Sequence, residues 1–418
     1  MNYSHYLPNI LNRTGIFLEY ACWTSQNYAL KVGFSVNLVA RTSIMDHFKD
    51  LPDPRIDRTK RHLLIDILTM ALIATICGAD GFDEIADFGV ARQDWLSKFL
   101  DLPSGIPSHD TFARVFSRLN PVEFSRCFLA WTAAVSQKTA GRVVAMDGKT
   151  LRHSFDTAHG VSAIHMVSAW LSHNSMVLGQ IKVDAKSNEI TAIPELLELL
   201  DIEGAIVTID AMGTQKSIAA QIIDQKGDYI LSLKDNQPNL RADVEAYLER
   251  VKKEHFRDHA DNNIPYTTFI SRNNDHGRLE TRTCWAVECP TWVEGHKDWK
   301  GLRSIAVIES QRQIDGKTTK ESRYYISSLE PEAKDIAQAA RSHWGIENGL
   351  HWVLDTVFRE DESRIRKDNS PQNMAVVRHI ALNLIKREKT IKRSIQRKRF
   401  LAALDESYLE KVLFPENK

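Results

Sequence analysis

From residue 142 onward the apolar residues abandon helical spacing and gather in short β-branched runs, and the order of those runs leaves few folds open. VVAMD at 143–147, AIHMVSAWLS at 163–172 and MVLGQIKVD at 176–184 predict three strands in an antiparallel meander. A helix over EITAIPELLELLD leads to a fourth strand, AIVTID at 205–210, and a second helix, TQKSIAAQIIDQKG, leads to a fifth, DYILSLK. The order βββαβαβ predicts one mixed α/β sheet whose fourth and fifth strands are joined by a right-handed crossover. Ligands of such sheets sit at the carboxyl ends of strands. Asp147 ends the first run and Asp210 the fourth, so the two carboxylates meet if these strands are parallel neighbours. Taken alone, Asp147-Gly148-Lys149 reads more readily as an ordinary Asp-Gly turn than as a metal or phosphate site whose glycine lets the ligand approach the backbone.

The rest of the chain frames this sheet. At 418 residues, 43% of them hydrophobic, the chain exceeds one comfortable core. Residues 1–44 form an unassigned extension without clear periodicity, expected to be dispensable, although GIFLEYACW within it is apolar. Residues 45–138 read as a helical N-terminal DNA-binding or accessory unit around the apolar run Leu63–Gly78, which is too short for a bilayer span and carries Asp66. In that unit IPSHDTFARVFSRLNP places Arg114 and Arg118 four apart on one helix face, either a recognition surface or a solvated face. Residues 139–236 hold the first part of the sheet, 237–317 a β-rich insertion, 318–365 the sixth strand and a long helix, and 366–418 a basic helical end. The five cysteines lack CxxC spacing and suggest reduced thiols and a cytoplasmic protein without a membrane span.

In the long helix, RSHWGIENGLHWVLD puts Ile346, Leu350, Val353 and Val357 on an apolar stripe, with His343, Glu347, His351 and Asp355 every four residues beside it. Glu347 is the carboxylate best placed to reach the strand tips. A competing assignment makes His343, Glu347 and His351 zinc ligands, but eight residues of helix span about 12 Å, too far for one ion. HGRLETR alternates along a strand and puts Arg278 and Arg282 on one side, facing DNA or merely solvent. Net charge is zero, yet Lys386–Arg399 carries eight Lys or Arg against Glu388 alone, a footprint for a phosphate backbone that includes Arg397, Lys398 and Arg399.

With LPDPR, AMDGKTLRHS, KSNEITAIPELL, TIDAMGTQK, HGRLETR, RYYISSL, HWGIENGLHW and NMAVVRHIALNL in this order, the chain resembles DDE transposases of bacterial insertion sequences. Specifically, it resembles the ISAs-type subgroup that includes H-repeat-associated, Rhs-linked proteins. The resemblance runs from about Met45 onward and implies a ribonuclease H-like fold with a β-rich insertion before the catalytic helix. It also implies Asp147, Asp210 and Glu347 as a metal-binding catalytic triad holding two Mg2+ ions, with Mn2+ as a substitute. The implied reaction is cleavage and strand transfer of double-stranded DNA by a homo-oligomer assembled on element ends and target. Lys149, His343 and His351 are then candidate contacts to the DNA backbone. A catalytically inactive, transposase-derived DNA-binding protein is the alternative of another class. One departure is visible: where related transposases carry Tyr, Arg and Lys around the helix glutamate, this chain has Ala340, His343 and Leu354.

Overall fold

The computed structural model describes residues 44–136, 141–155, 162–184, 187–255, 264–275, 278–314 and 317–414. The amino-terminal helices are α1 (Ile44–Phe48), α2 (Leu64–Cys77), α3 (Phe82–Ala91), α4 (Gln93–Leu96), α5 (His109–Arg118) and α6 (Pro121–Val135). The apolar run forms α2, buried continuously from Asp66 to Ile76 and stopped at Gly78, whose φ of 119° a side chain would strain. Asp66 is tolerated inside because its carboxylate accepts the Leu102 amide at 3.0 Å. Among the described residues no single helix is long and apolar enough to cross a membrane.

The sheet strands are β1 (Val143–Leu151), β2 (Ile164–Leu171), β3 (Met176–Lys182), β4 (Ile206–Ile209), β5 (Asp228–Leu233), β6 (Tyr266–Asp275), β7 (Arg278–Glu288), β8 (Ser304–Ile314) and β9 (Lys317–Ser327). Between them lie α7 (Glu189–Glu198), α8 (Lys216–Asp224) and α9 (Pro238–His255). After β9 come α10 (Ala333–Ile346), a π-helical segment (Glu347–His351), α11 (Trp352–Thr356), α12 (Ser370–Arg387), α13 (Ile395–Leu404) and α14 (Glu406–Leu413). The strands form one nine-stranded sheet in the order β3-β2-β1-β4-β5-β9-β8-β7-β6. β1 runs antiparallel to β2 and parallel to β4, β4 is parallel to β5, and β5 is antiparallel to β9.

Two expectations need correction. Asp147 does not end its strand: β1 continues to Leu151 because β2 pairs with it throughout, from Val144↔Leu171 to Leu151↔Ile164. The β-rich insertion contributes β6, β7 and β8. β8 pairs with β9 from Ser304↔Ser327 to Ile314↔Lys317, so β6, β7 and β8 lengthen the main sheet. The long helix is interrupted as well, by the π turn at Glu347.

Side-chain alternation along β1 sends Val144 and Met146 into a core with Leu196 of α7, Ile218 of α8 and Val244 of α9. Ala145 faces the opposite layer. There Trp170 and Val177 join Ile73 of α2, Phe128 of α6 and Ile380 of α12 in a single cluster, so helices from both ends of the chain share one core. Further along that face α10 lays Ile336 and Ala340 on Ile230, Cys284 and Ala306. Asn383 of α12 clamps the outer strand: its side chain accepts the Val177 amide and donates to the Val177 carbonyl, both at 2.9 Å. This satisfies backbone groups that an edge strand would otherwise expose.

The basic carboxyl-terminal block is split by this packing. Lys389, Lys392, Arg393 and Arg397 stay exposed, whereas Lys398 and Arg399 are buried, contrary to their expected role on DNA. The reason is that helix ends leave carbonyls without partners, and these cations supply donors. Lys398 Nζ donates to the Ile385 carbonyl at 3.2 Å at the end of α12, and Arg399 Nη2 to the Thr75 carbonyl at 2.9 Å at the end of α2. Lys398 also pairs with buried Glu388 at 2.9 Å, and the Tyr408 hydroxyl donates to the same carboxylate at 2.9 Å. Burial opposes the Glu388 charge, but hydrogen bonds from Thr390, Lys398 and Tyr408 outweigh it and hold the carboxyl down at about 2. Because folding lowers this pKa, the stabilisation is complete above the ordinary glutamate range and drains away as pH falls toward 2. Glu388→Gln should therefore cost about 3 kcal/mol at neutral pH, leaving Lys398 buried without its counter-charge. Denaturant unfolding should show the gap from the parent protein narrowing toward about pH 3; a gap independent of pH would remove Glu388 from this role.

Candidate active site

β1 and β4 are in parallel register up to Met146↔Ile209, so the next residue on each, Asp147 and Asp210, emerges side by side where β4 stops. Alternation turns Asp147 toward the layer that carries α10 and the π segment. Those elements approach closely because Gly349 sits on Trp170 of β2, where a Cβ would stand 2.8 Å from the indole Cζ2. The extra residue in a π turn is a device often found at functional sites. Here its first and last residues are Glu347 and His351, and both face Asp147. Ligand atoms of Asp147, Glu347 and His351 all lie within 4.8 Å of one another.

The electrostatics of the two aspartates differ. Burial and then the Glu347 charge push the Asp147 carboxyl up to about 8, with Glu189 and Asp210 adding to the repulsion. Burial also opposes charge on Asp210, yet the Ala211 amide and Lys234 more than compensate and hold its pKa below the ordinary value. Lys234 Nζ lies 3.1 Å from Asp210 Oδ1. A half-buried carboxylate lacking compensation, with other donors close by, has the chemistry of a divalent-cation site; the donor atoms close enough to share one ion are those of Asp147, Glu347 and His351, while Asp210 lies outside that group and is paired with Lys234.

Neither histidine is turned out toward a DNA backbone. His343 Nδ1 meets Thr208 Oγ1 of β4 at 3.0 Å, and burial keeps its pKa below the ordinary value against the pull of Asp210. His351 is buried with Nδ1 3.4 Å from Asp147 Oδ2, and burial, then the charge of Lys149, pushes its pKa down to about 4. The zinc trio does not assemble either, since His343 is engaged at β4 while Glu347 and His351 gather at Asp147.

Gly148 and Lys149 are likewise spent inside the protein. A Cβ on Gly148 would stand 2.1 Å from Glu189 Oε1 and 2.5 Å from His165 Nε2, so the glycine makes room for that pair, held at 2.7 Å, rather than for a phosphate. Lys149 is nearly buried, with Nζ 2.7 Å from Asp355, 3.1 Å from Glu360 and 3.2 Å from Asp361. Burial works against this ammonium, but the carboxylates of Glu360 and Asp355 raise its pKa above the ordinary lysine value. Arg378 of α12 stands 3.6 Å from the other oxygen of Glu360. The cluster thus ties β1, α11 and α12 together one turn beyond the convergent acids.

Arginines line the neighbouring face. Arg282 of β7, Arg312 of β8, Arg323 of β9 and Arg341 of α10 border an open trough of about 730 Å³ that reaches Asn348, beside Glu347. Buried Glu280 fixes two of them, Arg282 Nη2 at 2.6 Å and Arg312 Nε at 2.8 Å, and the Arg323 guanidinium lies 4.5 Å above the Trp344 ring. Arg278 belongs to β7, but its side chain lies outside the described residues. Arg114 and Arg118 are exposed on α5. Sequence reasoning missed Lys234, Arg312, Arg323 and Arg341. A signal for the first was available in its place just past β5, the parallel neighbour of β4.

Lys149→Met should leave Asp355, Glu360 and Asp361 without their common cation. We expect destabilisation of about 3 to 5 kcal/mol, the cost of breaking a buried ion pair. Thermal unfolding measures it, and a loss below about 1 kcal/mol would show that the cluster is solvated rather than structural.

The family model described as "Transposase DDE domain" matches residues 138–384, and that described as "DDE_Tnp_1-associated" matches residues 45–132. "Putative transposase YncI" of Escherichia coli O157:H7 is 43% identical over 375 residues, 89% of this chain and 94% of that protein. "H repeat-associated putative transposase YhhI" of Escherichia coli K12 is 42% identical, covering 88% of this chain and 97% of its own length. Among solved structures, the piggyBac transposase synaptic complex with hairpin DNA is similar over 89% of this chain and 78% of that one, at 10% identity and a TM-score of 0.39. With a family model over more than half its length and relatives matched nearly end to end, the chain belongs to the DDE transposases of the H-repeat type.

Proposed function

We propose that this transposase cleaves and transfers DNA strands by a metal-dependent mechanism at Asp147, Asp210 and Glu347, on a sheet of ribonuclease H-like design. The observation that carries the reading is the approach of Glu347 to Asp147 beside the end of β4: the Met146↔Ile209 register brings the two aspartates out on neighbouring strands, and the π segment turns Glu347 toward Asp147. Asp147, Asp210 and Glu347 would hold two Mg2+ ions, or Mn2+ in their place, and the bound charge would serve to activate an attacking oxygen and stabilise the departing one. The protein holds the acids for that task. Lys234 keeps Asp210 ionised, the Trp170–Gly349 contact sets the height of Glu347 over the sheet, and the Lys149 cluster fixes the following turn.

Double-stranded DNA, from element ends and target, lies in this reading along the arginine trough beside Asn348, with a second protomer completing the assembly in the cytoplasm. Exposed Arg114, Arg118 and Arg397 offer further phosphate contacts. Lys149, held by three carboxylates, and the buried Lys398 and Arg399 do not.

Asp147→Ala, Asp210→Ala and Glu347→Gln should each abolish Mg2+-dependent cleavage of DNA carrying the element ends while leaving binding largely intact. A variant that still cleaves at near the parent rate takes its residue out of the triad. If the parent chain binds those ends but cleaves with neither Mg2+ nor Mn2+, the inactive DNA-binding alternative is correct; a relative named "Inactive transposase YbfQ" is 43% identical over 18% of this chain.

Arg341→Ala and Arg323→Ala should weaken DNA binding without sequence preference. Each should also lower the slope of log affinity against log salt by about one for each phosphate that the arginine neutralises in the parent. Titrations across a salt series check this, and an unchanged slope would place the DNA elsewhere.

A further inference from the structure

We propose that His351 is a fourth ligand of the metal site, adding its Nδ1 to the oxygens of Asp147 and Glu347. The inference rests on the carboxylate site proposed above and deepens it by assigning a nitrogen donor to one side.

His351 closes the π segment that Glu347 opens, and it is 7% exposed. Its Nδ1 points into the acid cluster, 3.4 Å from Asp147 Oδ2 and 3.9 Å from Glu347 Oε2. Both separations exceed the usual hydrogen-bond range of about 2.7 to 3.2 Å. A buried imidazole aimed at two carboxylates at such distances is arranged as ligands around an ion are. Bonds of about 2.1 Å set neighbouring ligand atoms about 3 Å apart and opposite ones about 4.2 Å apart. The three donor atoms here lie within 4.8 Å of one another, and the exposed Glu347 side chain has room to close the difference.

The surroundings favour this corner of the site. Asp210 already has a cation in Lys234 at 3.1 Å. Lys149, the lysine nearest to Asp147 in β1, is committed to Asp355, Glu360 and Asp361. His343, the other histidine of this helix, is engaged by Thr208 at 3.0 Å. A mixed nitrogen and oxygen donor set shifts preference from Mg2+ toward Mn2+ and Zn2+, because imidazole suits borderline transition metals better than it suits Mg2+.

The test is electron spin-echo modulation of the full chain loaded with Mn2+, with Mn2+ and Mg2+ affinities measured alongside. The parent protein should show nitrogen coupling to Mn2+, and labelling its histidines with 15N should change the modulation without any substitution. The coupling should persist in His343→Gln and vanish in His351→Gln, with Mn2+ affinity falling on the order of tenfold and Mg2+ affinity falling less. Mn2+ that binds through Asp147, as judged by its loss in Asp147→Ala, but shows no nitrogen coupling in the parent overturns the His351 ligand and leaves the carboxylate site standing. Coupling that survives in His351→Gln does the same. Mn2+ that fails to bind, or binds equally well in Asp147→Ala, overturns both.

Discussion

Strand β1 is paired along both edges, antiparallel to β2 and parallel to β4, and this double pairing fixes its register on two sides at once. A slip of one residue would turn Val144 and Met146 out of the core beneath α7, α8 and α9 and drive Asp147 and Lys149 into it. Register is therefore enforced by burial, and the site inherits that precision. β4 stops at Ile209 while β1 continues, so Asp210 is released at the strand end where Asp147 still lies in a hydrogen-bonded ladder. One aspartate is held by the sheet and the other by Lys234.

The same strand anchors the helix above it. Asp147 faces Glu347 and His351, and two residues later Lys149 faces Asp355, so successive residues on one face of β1 meet successive turns of the overlying helix. The π turn is itself the first of these points of attachment, both of its ends meeting Asp147, and Asp355 follows one turn later. A widened turn held at both ends by contacts with a single strand has little freedom to straighten, which explains how an irregular segment persists above a sheet. Trp170 supports it from the neighbouring strand, meeting Gly349 on one side and the Lys386 ammonium 4.5 Å over its ring.

Neutral overall charge conceals two uses of the basic residues. Lys149, nearly buried, and Lys398 and Arg399, both buried, neutralise carboxylates or cap helix carbonyls. Arg282, Arg312, Arg323 and Arg341 border the trough next to Glu347, with Glu280 and Trp344 holding three of the guanidinium groups in place. In the proposed role on DNA, the fixed orientation of these guanidinium groups before any ligand arrives would lower the entropy lost on binding.

Much of this was legible in the chain. Periodicity and β-branched runs located the first five strands and their helices, because burial on a pleated surface selects those residues directly. AMDGK and TIDAMG marked two acids at related places on two strands, and the four-residue recurrence of His343, Glu347, His351 and Asp355 marked the helix side that lies over them. What the sequence could not determine was the fate of each polar side chain once the layers had packed. Whether Lys149 reaches solvent, whether Gly148 makes room for a phosphate or for Glu189, and which cations of the 386–399 block turn inward depend on partners distant along the chain. Local pattern specifies which face of an element is apolar; only the tertiary structure sets which carbonyl, carboxylate or ring lies opposite each remaining donor, and desolvation makes that pairing decisive.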